Sequence, residues 1–160
     1  MNRYLEDLSA GEKFETAPYT LNEKEMLAFA HQFDAQPMHI DRAAAERGPF
    51  KSLIASGWHT AAIVMKLTAE ARFLGDTPVL GLGVEGLEWP KPVRAGDTLH
   101  VVMEVTKIRP SKSNPGFGIV SFTSTGFNQH GQVVFIARPN VWVPRRPQDE
   151  TTTLVTGTTQ

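Results

Sequence analysis

Apolar residues recur along this chain with two periods, and the period changes once. Between residues 23 and 33, Met26, Phe29, Ala30 and Phe33 fall at i, i+3, i+4 and i+7, the single stripe of an amphipathic helix. Thr20 with Glu23, or Asn22 with Glu25, suits its N-terminal cap. A second helix is predicted over 57–74, with Ser56 as N-cap and Gly75 just past its end. Trp58, Ala61, Ala62, Ile63, Val64, Met65 and Leu67 cover most of its circumference. A helix apolar nearly all round is expected to be buried.

Beyond residue 80 the period becomes two. Leu99, Val101, Met103 and Val105 alternate with His100, Glu104 and Thr106 across 99–107, the signature of a half-buried strand. Segments 116–127 and 132–137 make two further strands, joined by the turn Asn128-Gln129-His130-Gly131. Segment 81–90 makes another, with a phase shift at Gly86 that predicts a bulge. Segment 13–21 completes five. Pro139 marks an edge or irregular ending for the last strand. Helices first and consecutive strands afterwards argue for α+β, with an antiparallel five-stranded sheet wrapped around a long central helix. The single domain is expected to occupy 1–143, and the threonine-rich 144–160 to form a polar tail.

Composition narrows the function classes. With 16 basic and 17 acidic side chains, a net charge of -1 gives no electrostatic case for nucleic acid or an anionic membrane. The absence of cysteine removes disulfides and thiolate chemistry and fits a reducing cytoplasm, the expected location. No N-terminal signal pattern is seen, and no apolar run approaches the roughly 20 residues of a membrane span. His39 and Asp41 lack a third ligand at suitable spacing, so neither metal nor cofactor is expected. Gly81, Gly83 and Gly86 precede no helix, so they are not a dinucleotide loop.

The chemistry concentrates at Phe33-Asp34-Ala35-Gln36-Pro37-Met38-His39. Pro37 pushes Gln36 out of the α region, so the first helix ends here and a loop begins. Asp34 and His39, at the two ends of that loop, can face one point as an acid–base pair. By itself, an Asp at a helix end with a His five residues on more often serves as a cap and a solvated loop residue. His59, two positions into the second helix, either lines a pocket or is a buried histidine bonded to a backbone carbonyl, the commoner arrangement. His31 and His130 fall on solvated positions, and Trp58 and Trp89 read as core or interface.

The segment resembles the hydratase-2 motif of MaoC-like enoyl-CoA hydratases, in which a loop Asp-x-Asn-Pro-x-His carries the catalytic Asp and His. Asp34, Pro37 and His39 match it, and Gln36 stands where the family usually has Asn. Segments 53–60 and 89–99 resemble that family's entry to its central helix and its "PVxxGD" strand entry. Similarity thus extends over roughly 10–143. The resemblance implies the hot-dog fold and syn hydration of a trans-2-enoyl-CoA to the (R)-3-hydroxyacyl-CoA, or the reverse. Asp34 and His39 would hold the water, with the roles of acid and base left open. Gly57 at the helix start, with Ser56 and Gln36, is the candidate oxyanion and substrate-binding group. Unpaired N–H groups there would stabilise a developing enolate, and glycine would let substrate approach the backbone.

Two other readings compete: a hot-dog acyl-CoA thioesterase, and a non-catalytic acyl-CoA-binding subunit in which Gln36 marks a decayed site. Lys91, Arg94, Lys107, Arg109 and Lys112 are candidates to grip CoA phosphates, although such side chains are usually just solvated. Exposed sheet edges predict a homodimer or dimer of dimers, with the pocket where subunits meet.

Overall fold

Asn22, rather than Thr20, starts the first long helix. Its side chain accepts from the Glu25 backbone N–H at 2.9 Å, while the Glu25 carboxylate accepts from the Tyr19 hydroxyl at 2.6 Å. The structure, a computed structural model, describes residues 1–147, and the remainder of the expected tail lies outside them. In chain order the elements are β1 (Lys13–Glu15), β2 (Tyr19–Thr20), α1 (Glu23–Phe33), α2 (Pro37–Ile40), α3 (Arg42–Arg47), α4 (Gly57–Ala71), β3 (Leu80–Glu88), β4 (Thr98–Pro110), β5 (Phe117–Phe127) and β6 (Val133–Pro144).

The six strands form one antiparallel sheet in the order β1-β4-β5-β6-β3, with β2 also beside β4. The segment expected as one N-terminal strand is therefore two. Pro18, between them, has no N–H to continue a ladder. β6 also runs beyond Pro139, where an end or an edge was expected, and lies between β5 and β3. Pro139 sits opposite Val84, where the β3–β6 register shifts between Val84 and Leu87. Gly86, in that bulge as its phase shift predicted, has φ +73°. An irregular ladder tolerates a residue without a donor. Past the expected boundary at 143, Arg145 donates its backbone N–H to Gly116, and the Arg146 guanidinium meets Asp7 at 2.6 Å.

Leu99, Val101, Met103 and Val105 of β4 and Val120 and Phe122 of β5 are buried on the inner face of the sheet. Each fully buried side chain of this size contributes about 1.5–3 kcal/mol. β5 presents Gly118 and Gly126 among them. A Cβ on Gly126 would lie 3.1 Å from Phe135 and 3.6 Å from Val64 of α4, so the missing side chain lets the helix seat against the sheet. α4 buries His59, Thr60, Ile63, Val64 and Leu67.

It is not buried all round. Trp58 and Met65 are 62% and 66% exposed, because the sheet of one chain covers one side of the helix only. α4 ends at Ala71 with Arg72 in the left-handed region, short of the expected Leu74. Phe33 likewise leaves the expected stripe of α1. It is 67% exposed and leans on Phe29, with ring centroids 5.1 Å apart. No helix among the described residues is long and apolar enough to cross a membrane.

Candidate active site

α1 stops where Pro37 required it to. Asp34 is its C-cap, and Gln36 is extended at φ -78°, ψ 146°. The residues after it do not form an open loop, however. Pro37 opens the helical turn α2, which contains His39. The fixed φ of proline suits a first helical position, where the missing N–H has no intrahelical partner to lose. The turn tucks His39 inward, leaving 5% of the residue exposed.

His39 is oriented from behind. Its Nδ1 lies 2.8 Å from the Ile54 carbonyl, and a carbonyl only accepts, so Nδ1 carries the hydrogen. Nε2 is then the nitrogen that gains or loses a proton. It faces Asp34 Oδ2 at 3.4 Å. That separation exceeds a charge-assisted hydrogen bond of about 2.7–2.9 Å, and a water could touch both atoms from the side.

Asp34 is held at both oxygens. Gln36 Nε2 donates to Oδ1 at 2.7 Å, and Ser56 Oγ donates to Oδ2 at 2.6 Å. The Ser56 bond first and the Gln36 bond second, with the nearby His39, hold the carboxyl below its ordinary range against an opposing desolvation. Hydrogen bonds to the charged form favour it. Ser56 is fully buried and also caps α4, its Oγ accepting from the Trp58 N–H at 3.2 Å. One hydroxyl therefore joins the end of α1 to the beginning of α4.

The start of α4 lies beside the pair. Ser56 occupies the Trp58 N–H, whereas the Gly57 N–H has no acceptor among the described residues. A helix N-terminus with a free N–H carries partial positive charge suited to an oxyanion. Glycine at this position also has a packing role. A Cβ at Gly57 would fall 2.8 Å from the Trp89 indole, whose Nε1 donates to the Gly57 carbonyl at 2.7 Å. The glycine makes room for tryptophan on that side.

The structure thus brings Asp34, His39, Gln36, Ser56 and Gly57 together. Ser56 and Gln36, expected to face substrate, direct their donors at Asp34. The Ile54 carbonyl and Trp89 were missed as contributors, since nothing in linear spacing ties Ile54 to residue 39 or Trp89 to residue 57. His59 does not make the expected carbonyl bond: its ring stacks on Phe29 instead. Of the candidate phosphate-gripping residues, Arg94 is engaged with Ser52 Oγ and the Phe50 carbonyl. Lys107 and Arg109 line a cleft of about 540 Å³ elsewhere, with Glu85 and Asn140. No group of three His, Asp or Glu among the described residues could hold a metal ion.

An antiparallel sheet packed on one long helix, with a carboxylate and an imidazole meeting at the helix tip, defines a hot-dog domain with a candidate site at that tip. The chain belongs to the MaoC-like domain family, whose profile matches residues 7–126. It is 30% identical over 148 residues to an (R)-specific enoyl-CoA hydratase of Rhodospirillum rubrum, covering 89% of this chain and 93% of that one. A MaoC-like dehydratase structure from Rhodospirillum rubrum superposes with a TM-score of 0.87 at 44% identity, covering 92% of this chain and 100% of the other. An (R)-hydratase structure from Pseudomonas aeruginosa superposes with a TM-score of 0.72 at 28% identity, covering 91% and 88%.

Proposed function

We propose that this protein is a hydro-lyase that adds water to a 2-enoyl-CoA thioester, or removes it from the 3-hydroxyacyl-CoA, in the cytoplasm. The observation that carries the reading is the approach of His39 Nε2 to Asp34 Oδ2 beside the first turn of α4. The relative named (R)-specific enoyl-CoA hydratase supports it.

In this reaction the thioester oxygen lies at the Gly57 N–H, where the helix end stabilises the enolate. A water between Asp34 and His39 attacks C3 through its oxygen and gives up a proton to the pair. C2 receives a proton on the same face, so the sum is addition of H and OH across the double bond. With the imidazole neutral, Nε2 is a bare acceptor and Asp34 a carboxylate. The proton delivered to C2 is then one that the water supplied. Asp34 and His39 act as one coupled unit. No cofactor takes part.

A coupled assay tests this reading. Loss of enoyl absorbance without free thiol supports hydration, whereas thiol release from acyl-CoA indicates a thioesterase. If the purified protein turns over no enoyl thioester, the hydratase reading is wrong and a binding subunit remains; if D34N and H39A both leave turnover unchanged, Asp34 and His39 are not the residues that perform it.

We also infer a homodimer. β3 is an edge strand, and Val84 on it and Val79 just before it are exposed, like Trp58 and Met65 on α4. All four line an apolar groove of about 650 Å³ that reaches Phe73, Leu87 and Phe135. A long apolar edge invites pairing, and a two-fold partner would extend the sheet and cover the helix together.

A further inference from the structure

His39 presents a bare Nε2 in only one of its two neutral tautomers, and two acceptors compete for the ring hydrogen. The Ile54 carbonyl lies 2.8 Å from Nδ1, and the Asp34 carboxylate lies 3.4 Å from Nε2. A carboxylate is the stronger acceptor, since hydrogen bonds to an ionised group are about twice as strong as neutral ones. Were the Ile54 carbonyl to draw away, the hydrogen would move to Nε2 and bond Asp34 directly. The pair would then bond to itself, with no imidazole lone pair facing a water between the two groups.

That carbonyl belongs to segment 48–56, which is neither helix nor strand and has no backbone ladder of its own to hold it. Lys51 within it lies in the left-handed region at φ 59°, where a side chain is rarely found without support from its surroundings. Two backbone bonds hold the segment near Ile54. The Ile54 N–H donates to the Met38 carbonyl at 3.2 Å, and the Ala55 N–H donates to the Val93 carbonyl at 2.8 Å. The first joins the segment only to the turn that carries His39, and moves with it.

The stretch before Ile54 is gripped by Arg94. Its Nε donates to Ser52 Oγ at 2.7 Å, and a terminal nitrogen donates to the Phe50 carbonyl at 3.2 Å. One planar guanidinium thus holds the chain on both sides of Lys51. Arg94 is itself fixed at the entry to β4. Its backbone N–H donates to Asp97 Oδ2 at 2.8 Å, Asp97 Oδ1 accepts from Gln129 at 2.9 Å, and the Asp97 carbonyl accepts from the Leu21 N–H at 2.9 Å. Two consecutive residues therefore clamp the segment around Ile54, Val93 through its carbonyl after it and Arg94 through its side chain before it.

We propose that Arg94 is a positioning residue: by holding Phe50 and Ser52 it keeps the Ile54 carbonyl against His39 Nδ1, and so keeps Nε2 free for water. The role deepens the hydratase reading and rests on it for what the bare Nε2 does. The tautomer itself is a property of the folded protein and needs no substrate. Lysine is a poor replacement, because one ammonium lacks the fixed fork that meets two oxygens at once.

The test reads the His39 tautomer by nitrogen NMR of isotopically labelled histidines, with the ring neutral and its signal identified by loss in H39A. Wild type is expected to show Nδ1–H alone, and R94A a mixture to which Nε2–H contributes. In R94A, kcat with an enoyl thioester should fall by on the order of 10²-fold at nearly constant KM, with R94K in between. If circular dichroism shows R94A unfolded, S52A decides, since it deletes one acceptor and leaves the arginine in place; a mixed tautomer is expected there too. An unmixed Nδ1–H signal in folded R94A, or failing that in S52A, overturns the proposal. So does either effect, on tautomer or on kcat, without the other in an active enzyme. A tautomer shift in a protein that turns over no enoyl thioester upholds the grip of Arg94 on His39 and defeats the hydratase reading. Enoyl turnover with the tautomer unmoved by R94A does the reverse.

Discussion

The Ser56 hydroxyl donates to Asp34 Oδ2 at 2.6 Å, and the same oxygen caps α4 by accepting from Trp58. The Asp34 carboxylate and the start of α4 are thus held in one frame by a single side chain. S56A removes both bonds. Loss of the cap is expected to cost about 0.5–2 kcal/mol of stability, read by denaturant unfolding. The Asp34 pKa should rise toward its ordinary value, because the Ser56 bond is the largest cause of its lowering. The acid limb of kcat/KM should then move to higher pH. An unchanged limb would separate Ser56 from the chemistry.

The same lowering has a sign in stability. Asp34 is depressed in the folded state, so its contribution is present above the unfolded value of about 3.9 and is lost as pH falls through the folded pKa. D34N lacks that contribution. The stability difference between wild type and D34N should therefore change as pH drops below about 4, and hold steady from about pH 5 to 7.

Catalysis should fall much further than stability when the pair is broken. D34N and H39A are each expected to lower kcat by roughly 10²–10⁴-fold, and the double variant by little more than the worse single one, since groups acting as a unit are not additive. Circular dichroism should remain that of the wild type. Multiplicative losses in the double variant would mean that the two residues act separately.

Gly57 and Trp89 should behave as a coupled pair. G57A places a methyl 2.8 Å from the indole and is expected to destabilise by about 1–3 kcal/mol. In a W89A background the same change should be neutral or mildly stabilising, because alanine is the better helix former. A double-mutant cycle measures the coupling. An equal cost of G57A in both backgrounds would show that the ring is not what excludes the methyl.

Light scattering at micromolar concentration should report a dimer for the wild-type protein and a monomer for V84K or M65K. Both residues are exposed and line the apolar groove between β3 and α4. A wild-type monomer would leave those faces without the partner inferred for them.

Much of the fold could be read from the chain. The alternation of 99–107 is the burial pattern of β4, the phase shift at Gly86 is the bulge, and Pro37 ends α1 as the sterics of its ring demand. These are local rules, acting over a few residues of backbone. The exposed side of α4 followed a different logic. Periodicity says that Trp58 and Met65 are apolar, but not whether the surface that covers them belongs to the same molecule.

The sequence by itself determined the long elements and the antiparallel class of the sheet, because torsional preference and side-chain period are properties of neighbours, and it marked Asp34 and His39 through the motif that their segment resembles. Only the tertiary structure decided that Ser56 turns to Asp34, that Ile54 orients His39, that Trp89 packs on Gly57, and that His59 Nδ1 is buried unpaired. Each is a contact between segments that the chain brings together from a distance. Such partners are selected by packing, where many spacings compete and geometry alone chooses among them.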